Sequence, residues 1–534
     1  MAAANSAPFE VHSYDLPTLI RLAAKFSRWN SEESVSSKSH PAYLDSYFTA
    51  LKVQTIVAEP DYVNRDYLED FASYYVRCYG RYERYCSRLH FFSEAFDEAA
   101  FRALLAGEDG GLTVDALRKS YCGFIVIKPL PQTVFGRTCL KTYPAEAGRV
   151  FPVTRAFAAN LFGISLNIPD TLPFQEQDNV VAACATSALW SVLQGTAKEF
   201  QHAQLTPVEI TRAATELLPA ESRMIPNRGG LSTAMMAEAI RAVGLEPLTL
   251  YVPENDDVTL RAALYAYLRA RIPAILGVRL LDTASSEILG DHAVAVTGFK
   301  LAEEPADPPI ASGVRLRAAR MLKIYAHDDQ VGPFARMEFD GKKIEVELGD
   351  GRGPVPVQTL STSWRNKSGT THEVRAAPLI VLVPLYHKIR IPYEDVIQVI
   401  MDFHKFLVTA NLLNGLVGAS GPEWDIHLTT VNDLKTDLQG CDQLRGEQRL
   451  RWLTQGMPRF LWRATAVSGT QRIIDVFFDA TDIHTNESVY GVLVYDEGLD
   501  SVLRLIAVNP DLDALDELRG AVRILRSLSS ASAP

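Results

Sequence analysis

A cysteine, a histidine and an aspartate carry the chemistry most legible in this chain. In PFQEQDNVVAACATSALWSVLQG, Cys184 stands near the head of an apolar run from Ala182 to Leu193, preceded by polar residues. That pattern predicts a helix start. At such a place the unpaired main-chain N–H groups and the positive end of the helix dipole favour the thiolate, the reactive form of cysteine, and can hold a developing oxyanion. In GDHAVAVTGFK, His292 opens an alternating segment from Ala293 to Phe299 that predicts a strand, and a histidine at a strand mouth can face a cleft. In MLKIYAHDDQVGPFARM a further strand, Leu322 to Ala326, runs into His327, Asp328 and Asp329 ahead of a Gly-Pro turn. The base takes the thiol proton, and a carboxylate fixes its tautomer and stabilises the imidazolium. A carboxylate at that strand end, Asp328 or Asp329, can do so.

Each residue alone has an ordinary explanation. Free cysteines are mostly core, a histidine at a sheet edge is usually a satisfied hydrogen-bonding group, and Asp-Asp before glycine is common loop composition. Their coincidence within residues 184–328 is what points to thiol chemistry. A metal site built from His292, His327, Asp328 and Asp329 is set aside, because successive strand residues point to opposite faces and no HExxH or paired-cysteine spacing is present. No metal or other cofactor is expected.

Elements that position these residues are expected on both sides. Helical spacing predicts helices over Leu16–Trp29 and Tyr67–Arg88, and strands follow at Tyr121–Leu130 and near Arg137–Tyr143. The tyrosines of the second helix read as core, so no site is assigned there. After the central segment come a hydrophobic strand in LIVLVPLY, a helical pattern over Tyr393–Leu412, a polar stretch through Gln448, alternating strands around 459–508 and a last helix in LDALDELRGAVRILRSL. Three domains are drawn: 1–170, 171–375 and 376–534. No catalytic constellation is read in the third.

Composition sets the remaining limits. The 534 residues exceed what one core usually organises, and 47% hydrophobic with 22% charged residues is ordinary globular usage. A net charge of -11 without a dense Lys/Arg run argues against nucleic acid or anionic lipid as partner. Apolar stretches fall short of the roughly 20 residues that span a bilayer, and the N-terminus lacks the features of a secretory signal. Six scattered cysteines suit a reducing cytoplasm, where this protein is expected.

The central segment resembles the papain-like cysteine peptidase superfamily, in particular its bacterial papain-like and bacteriocin-processing-type branch. Beyond the three residues, LTPVEITRA at 205–213 is similar to the helix that follows the nucleophile helix, and NRGGLSTAMMAEAIRAVGLEP at 227–247 to the Gly-Gly turn and third helix. LRAALYAYLRARIPAILGVRL at 260–280 is similar to the helix-then-strand step before the histidine. The resemblance implies a papain-like central domain; with the N-terminal and C-terminal segments read from their element patterns as α+β domains, the fold class expected is α+β. It implies Cys184 as nucleophile, His292 as general base and Asp328 as third member. A glutamine ahead of the cysteine serves the family as oxyanion donor; Gln177 is the candidate, one residue farther away than in papain, with Gln175 farther still. Ala185 replaces the tryptophan that follows the nucleophile in papain, and Asp328 stands where papain has asparagine, as in the bacteriocin-processing branch. Ala302–Ala318 reads as an insertion.

The implied activity is hydrolysis of peptide or isopeptide bonds in a protein or peptide substrate through a thioester. A transglutaminase- or deamidase-type acyl transfer uses the same residues, and an inactive papain-like scaffold that binds protein is the remaining alternative. In each case the flanking domains are candidates for recruiting a regulatory partner.

Overall fold

A computed structural model describes residues 8–178, 180, 183–216, 230–305, 313–347, 353–362, 373–418, 421–482, 488–510, 512 and 518–530. Asn227, Arg228, Gly229, the middle of the expected insertion and the segment Trp364–Thr371 lie outside the described residues. The fold is α+β. The chain divides into two compact units, Met1–Asn255 with Pro273–Gly298 and Lys323–Pro384, and Asp256–Ile272 with Phe299–Leu322 and Leu385–Pro534. The strand Val374–Tyr386 runs across position 375, where the sequence reading divides the chain.

The first unit opens with a five-stranded antiparallel sheet in the order Glu10–Ser13, Thr55–Tyr62, Cys86–Phe92, Tyr121–Ile127 and Phe135–Leu140. The helix expected over Tyr67–Arg88 is therefore half right. Helix Arg65–Ser73 ends where Tyr74 leaves helical geometry at φ -132°, and CSRLHFF forms a central strand with all seven residues buried. Sheet pairing on both edges overrides the helix-like spacing of its aromatics.

The main sheet of this unit closes on itself. Ala274–Asp282, Ile288–Leu301, Met321–Asp328, Gly332–Glu338, Leu360–Ser361 and Val374–Tyr386 pair in that order, and the last pairs back to the first. Helix Cys184–Phe200 lies against it, with every residue from Ala185 to Ala197 buried. Ala185, Ala188, Leu189 and Trp190 share a core with Ile275, Ala293, Ala295 and Leu382. That packing brings the head of the cysteine helix to the strand that carries His292.

The second unit holds an antiparallel sheet of Glu423–Thr430, Phe460–Ser468, Gln471–Asp479 and Val489–Val494, with Arg315–Leu316 added in parallel. The stretch read as polar through Gln448 contains the first of these strands and helix Val431–Gln439, and helix Gly446–Thr454 begins at its end. The end of the stretch expected to be strands is helix Glu497–Ala507. Among the described residues no helix is long and apolar enough to cross a membrane.

Candidate active site

Cys184 is the first residue of its helix, and the capping position is Ala183, which offers no side-chain hydrogen bond. The helix begins two residues later than the apolar run suggests. An N-cap alanine gives the N–H groups of the first turn, beside the thiol, no side-chain cap. Cys184 is half-buried, whereas His292, Asp328 and Asp329 are 5%, 3% and 3% exposed. The thiol is thus the member of the group that solvent reaches.

His292 lies inside a strand rather than at its mouth: the strand begins at Ile288, and His292 pairs with Val278. Its neighbour in the closed sheet is the strand Met321–Asp328, tied to it by Thr297 Oγ1 donating to Tyr325 O at 2.9 Å. His292 Nε2 stands 3.2 Å from Asp328 Oδ1, and the Cys184 side chain is near enough to the imidazole to favour its protonated form. With Nε2 committed to the carboxylate, Nδ1 is the nitrogen left to take the thiol proton.

Asp329 is also close, its Oδ1 being 3.6 Å from His292 Nε2. Strict alternation would have sent it to the opposite face, but the pairing slips between Ala326 and Asp328 and the strand ends there. His292, Asp328 and Asp329 offer ligand atoms within 4.8 Å of one another, so these three carry the donor set of a metal site that the sequence argument set aside. An ion there would displace the Nε2–Asp328 hydrogen bond. His327 points elsewhere: Nε2 meets Leu172 O at 2.9 Å and Nδ1 accepts from Phe334 N at 3.1 Å. Burial pushes its pKa down to about 3, so it stays neutral.

The electrostatics of this cluster are uneven. Burial works against a charged His292, but Asp328, the Cys184 side chain and Asp329 together raise its pKa well above the usual value. Asp329 is pushed up to about 7, first by burial and further by Asp328, with His292 opposing. Neither Asp329 carboxylate oxygen has a hydrogen bond among the described residues. One imidazolium cannot satisfy two dry carboxylates, and Asp329 is pushed toward its protonated form.

Short links hold the cluster in place, and sequence reasoning missed all of them. His40 Nε2 meets Asp329 O at 2.9 Å, Ser39 Oγ donates to Gln330 O, and Tyr43 OH donates to Pro333 O at 2.6 Å. A Cβ at Gly332 would sit 2.3 Å from the Tyr43 ring, so only glycine fits under it. Lys38 Nζ lies 2.5 Å from Glu176 Oε1, and Glu176 Oε2 accepts from Val134 N and Phe135 N at 2.8 and 2.9 Å. The segment 38–43 therefore clamps both the aspartate turn and the approach to the cysteine. Gln177, the oxyanion candidate, is half-buried and anchored through its main-chain oxygen, which accepts from Thr133 Oγ1 at 3.4 Å. Gln175 is buried, takes Lys128 Nζ on its Oε1 at 3.5 Å, and leaves Nε2 without a partner among the described residues.

No protein-family model matches this chain, and no curated protein matches it either. The arrangement is therefore read from its own atoms. It can take a proton from a thiol, hold the resulting ion pair in a dry setting, and present the thiolate at a helix N-terminus to an electrophile.

Proposed function

We propose that the first unit is a papain-like cysteine peptidase, hydrolysing peptide or isopeptide bonds in a protein or peptide substrate. The observation that carries the reading is the chain of contacts from the half-buried Cys184 thiol to His292 and from His292 Nε2 to Asp328 at 3.2 Å. Nδ1 takes the Sγ proton and the thiolate adds to the acyl carbon, giving an oxyanion that faces the N–H groups of the first helical turn and, as a candidate donor, Gln177. Collapse expels the amine, which receives the proton from His292, and leaves a thioester on Cys184. Water, deprotonated by the same nitrogen, then attacks the thioester, releases the acid and restores the thiol. Asp328 keeps the imidazole oriented and stabilises its cation throughout.

An amine in place of water would make the same site a transglutaminase-type acyltransferase, and a carboxamide substrate would make it a deamidase. Six free thiols support placement in the cytoplasm. The test is hydrolysis of a mixed-sequence peptide pool, read by mass spectrometry, with hydroxylamine added to trap the thioester. Cleavage with hydroxamate formation, both lost in Cys184→Ala, is expected. Cleavage that survives in Cys184→Ala would remove the thiol from the mechanism, and hydroxamates without hydrolysis would move the reading to acyl transfer.

A further inference from the structure

In the second unit the sheet face that should be solvated is instead buried and charged. Asp425 and His427 lie two residues apart on Glu423–Thr430, opposite Thr465 and Arg463 on the next strand. All four are between 5% and 8% exposed. Antiparallel sheets normally turn their polar face to water, and charged residues are seldom buried without a reason. Here the face lines a cavity of about 340 Å³, to which Arg269, Arg317 and Arg472 also contribute.

The four guanidiniums are not equally occupied. Arg463 is spent on Asp475 at 3.1 and 2.7 Å and on Asp437 at 2.7 Å, and Arg472 is spent on Asp437 at 2.7 and 2.9 Å. Arg269, exposed at the end of helix Asp257–Arg269, has no carboxylate within ion-pair distance among the described residues, and its guanidinium lies over the Tyr265 ring at 5.7 Å. Arg317 has its nearest carboxylate oxygen, Asp425 Oδ2, at 3.9 Å, and its Nε is buried without a hydrogen-bond partner among the described residues. Asp425 is largely engaged elsewhere, its Oδ1 accepting from Tyr265 OH at 2.8 Å and meeting His427 Nδ1 at 3.1 Å. Two forked cations thus reach one polar cavity without a short carboxylate bond, sharing Asp425 as their nearest counter-charge.

We propose that this cavity binds the phosphate group of a small phosphorylated molecule, with Arg269 and Arg317 as its two ligands. A guanidinium fork matches a phosphate edge, and a pair of forks matches its charge of nearly two. The cavity is larger than a phosphate needs and leaves room for the organic part, against which Val467 offers an apolar wall. Arg463 and Asp437 form a fixed, already paired part of the lining. The inference is independent of the thiol chemistry proposed for the first unit.

Titration calorimetry on the full chain tests it, with glucose 6-phosphate, inorganic phosphate and malonate as probes. The sugar phosphate should bind with Kd below about 1 mM. Arg269→Gln and Arg317→Gln should each weaken it by about 10-fold or more, as expected for loss of a charge-assisted fork. Arg445→Gln, at an exposed arginine outside the cavity, should leave it unchanged. Arg317→Lys, which keeps the charge and loses the fork, provides a milder variant should the glutamine variants fail to fold, and it should also weaken binding. No saturable binding of either phosphate, equal affinity in the arginine variants, or tighter binding of malonate than of the phosphates would overturn the assignment.

Discussion

Two buried clusters of charge in this molecule are built on opposite plans. In the second unit, Asp475 is completely enclosed yet saturated, receiving two bonds from Arg463, one from Tyr495 OH at 2.8 Å and one from Thr465 Oγ1. Its neighbour Asp437 is held at about 2: burial opposes this, and the Arg472 and Arg463 guanidiniums outweigh it. In the first unit Asp329 is just as enclosed, has no hydrogen bond on either oxygen among the described residues, and is pushed up to about 7. A fully bonded ionic cluster fixes a structure. An under-bonded one costs stability and is expected where a proton has to move.

The contrast can be broken most sharply at the thiol. Cys184→Ala and His292→Ala should each lower kcat/KM for peptide cleavage by at least about 10⁴-fold, because members of such a unit fail together. Thermal unfolding of Cys184→Ala should be almost unchanged, since a half-buried small side chain is replaced by another. Next in size is Asp475→Ala, which leaves Arg463 buried with two of its three carboxylate bonds gone and should cost about 3–5 kcal/mol in urea unfolding. A loss under about 1 kcal/mol would deny that the second cluster is structural.

Gly332→Ala should cost about 1–3 kcal/mol, because the added carbon meets the Tyr43 ring and the turn carrying Asp329 has to shift. Activity should fall with it, and stability lost without activity would separate the clamp from the site.

The smallest effect has the opposite sign. Asp329 keeps in the fold a proton that the unfolded chain sheds near 3.8, so its contribution is full below that pH and is lost as pH rises to about 7. Asp329→Asn should remove that loss and raise stability near pH 8 by on the order of 2 kcal/mol, flattening the stability profile between pH 4 and 7. An unchanged profile would show that Asp329 is solvated or paired.

How much of this was legible in the sequence follows from the range of the interactions. A helix start at Cys184 and strands at His292 and Asp328 are local patterns of period and punctuation, and the structure places those side chains together. The proximity of both Asp328 and Asp329 to His292 was not legible, because it depends on a register slip between Ala326 and Asp328. Lys38, His40 and Tyr43 were missed because their partners lie more than a hundred residues away at Glu176, Asp329 and Pro333. The one available signal was a Lys-Ser-His run at a helix start, in a segment to which the sequence assigned no element. In the second unit Arg463 and Thr465 fell in the stretch read as strands, Asp425 and His427 in the stretch read only as polar, and the burial of all four was not visible.

The central claim is that His292 activates Cys184, and alkylation by iodoacetamide tests it most directly. Cys78 is the internal control, being the other half-buried free thiol. An ordinary thiol is only about one-thousandth thiolate at pH 5.5, so its labelling collapses there. Followed site by site by mass spectrometry between about pH 5.5 and 8, Cys184 should react about 10-fold or more faster than Cys78 at the acidic end, and should lose that advantage in His292→Ala. Equal rates at the two cysteines, or an advantage that survives in His292→Ala, would contradict the account.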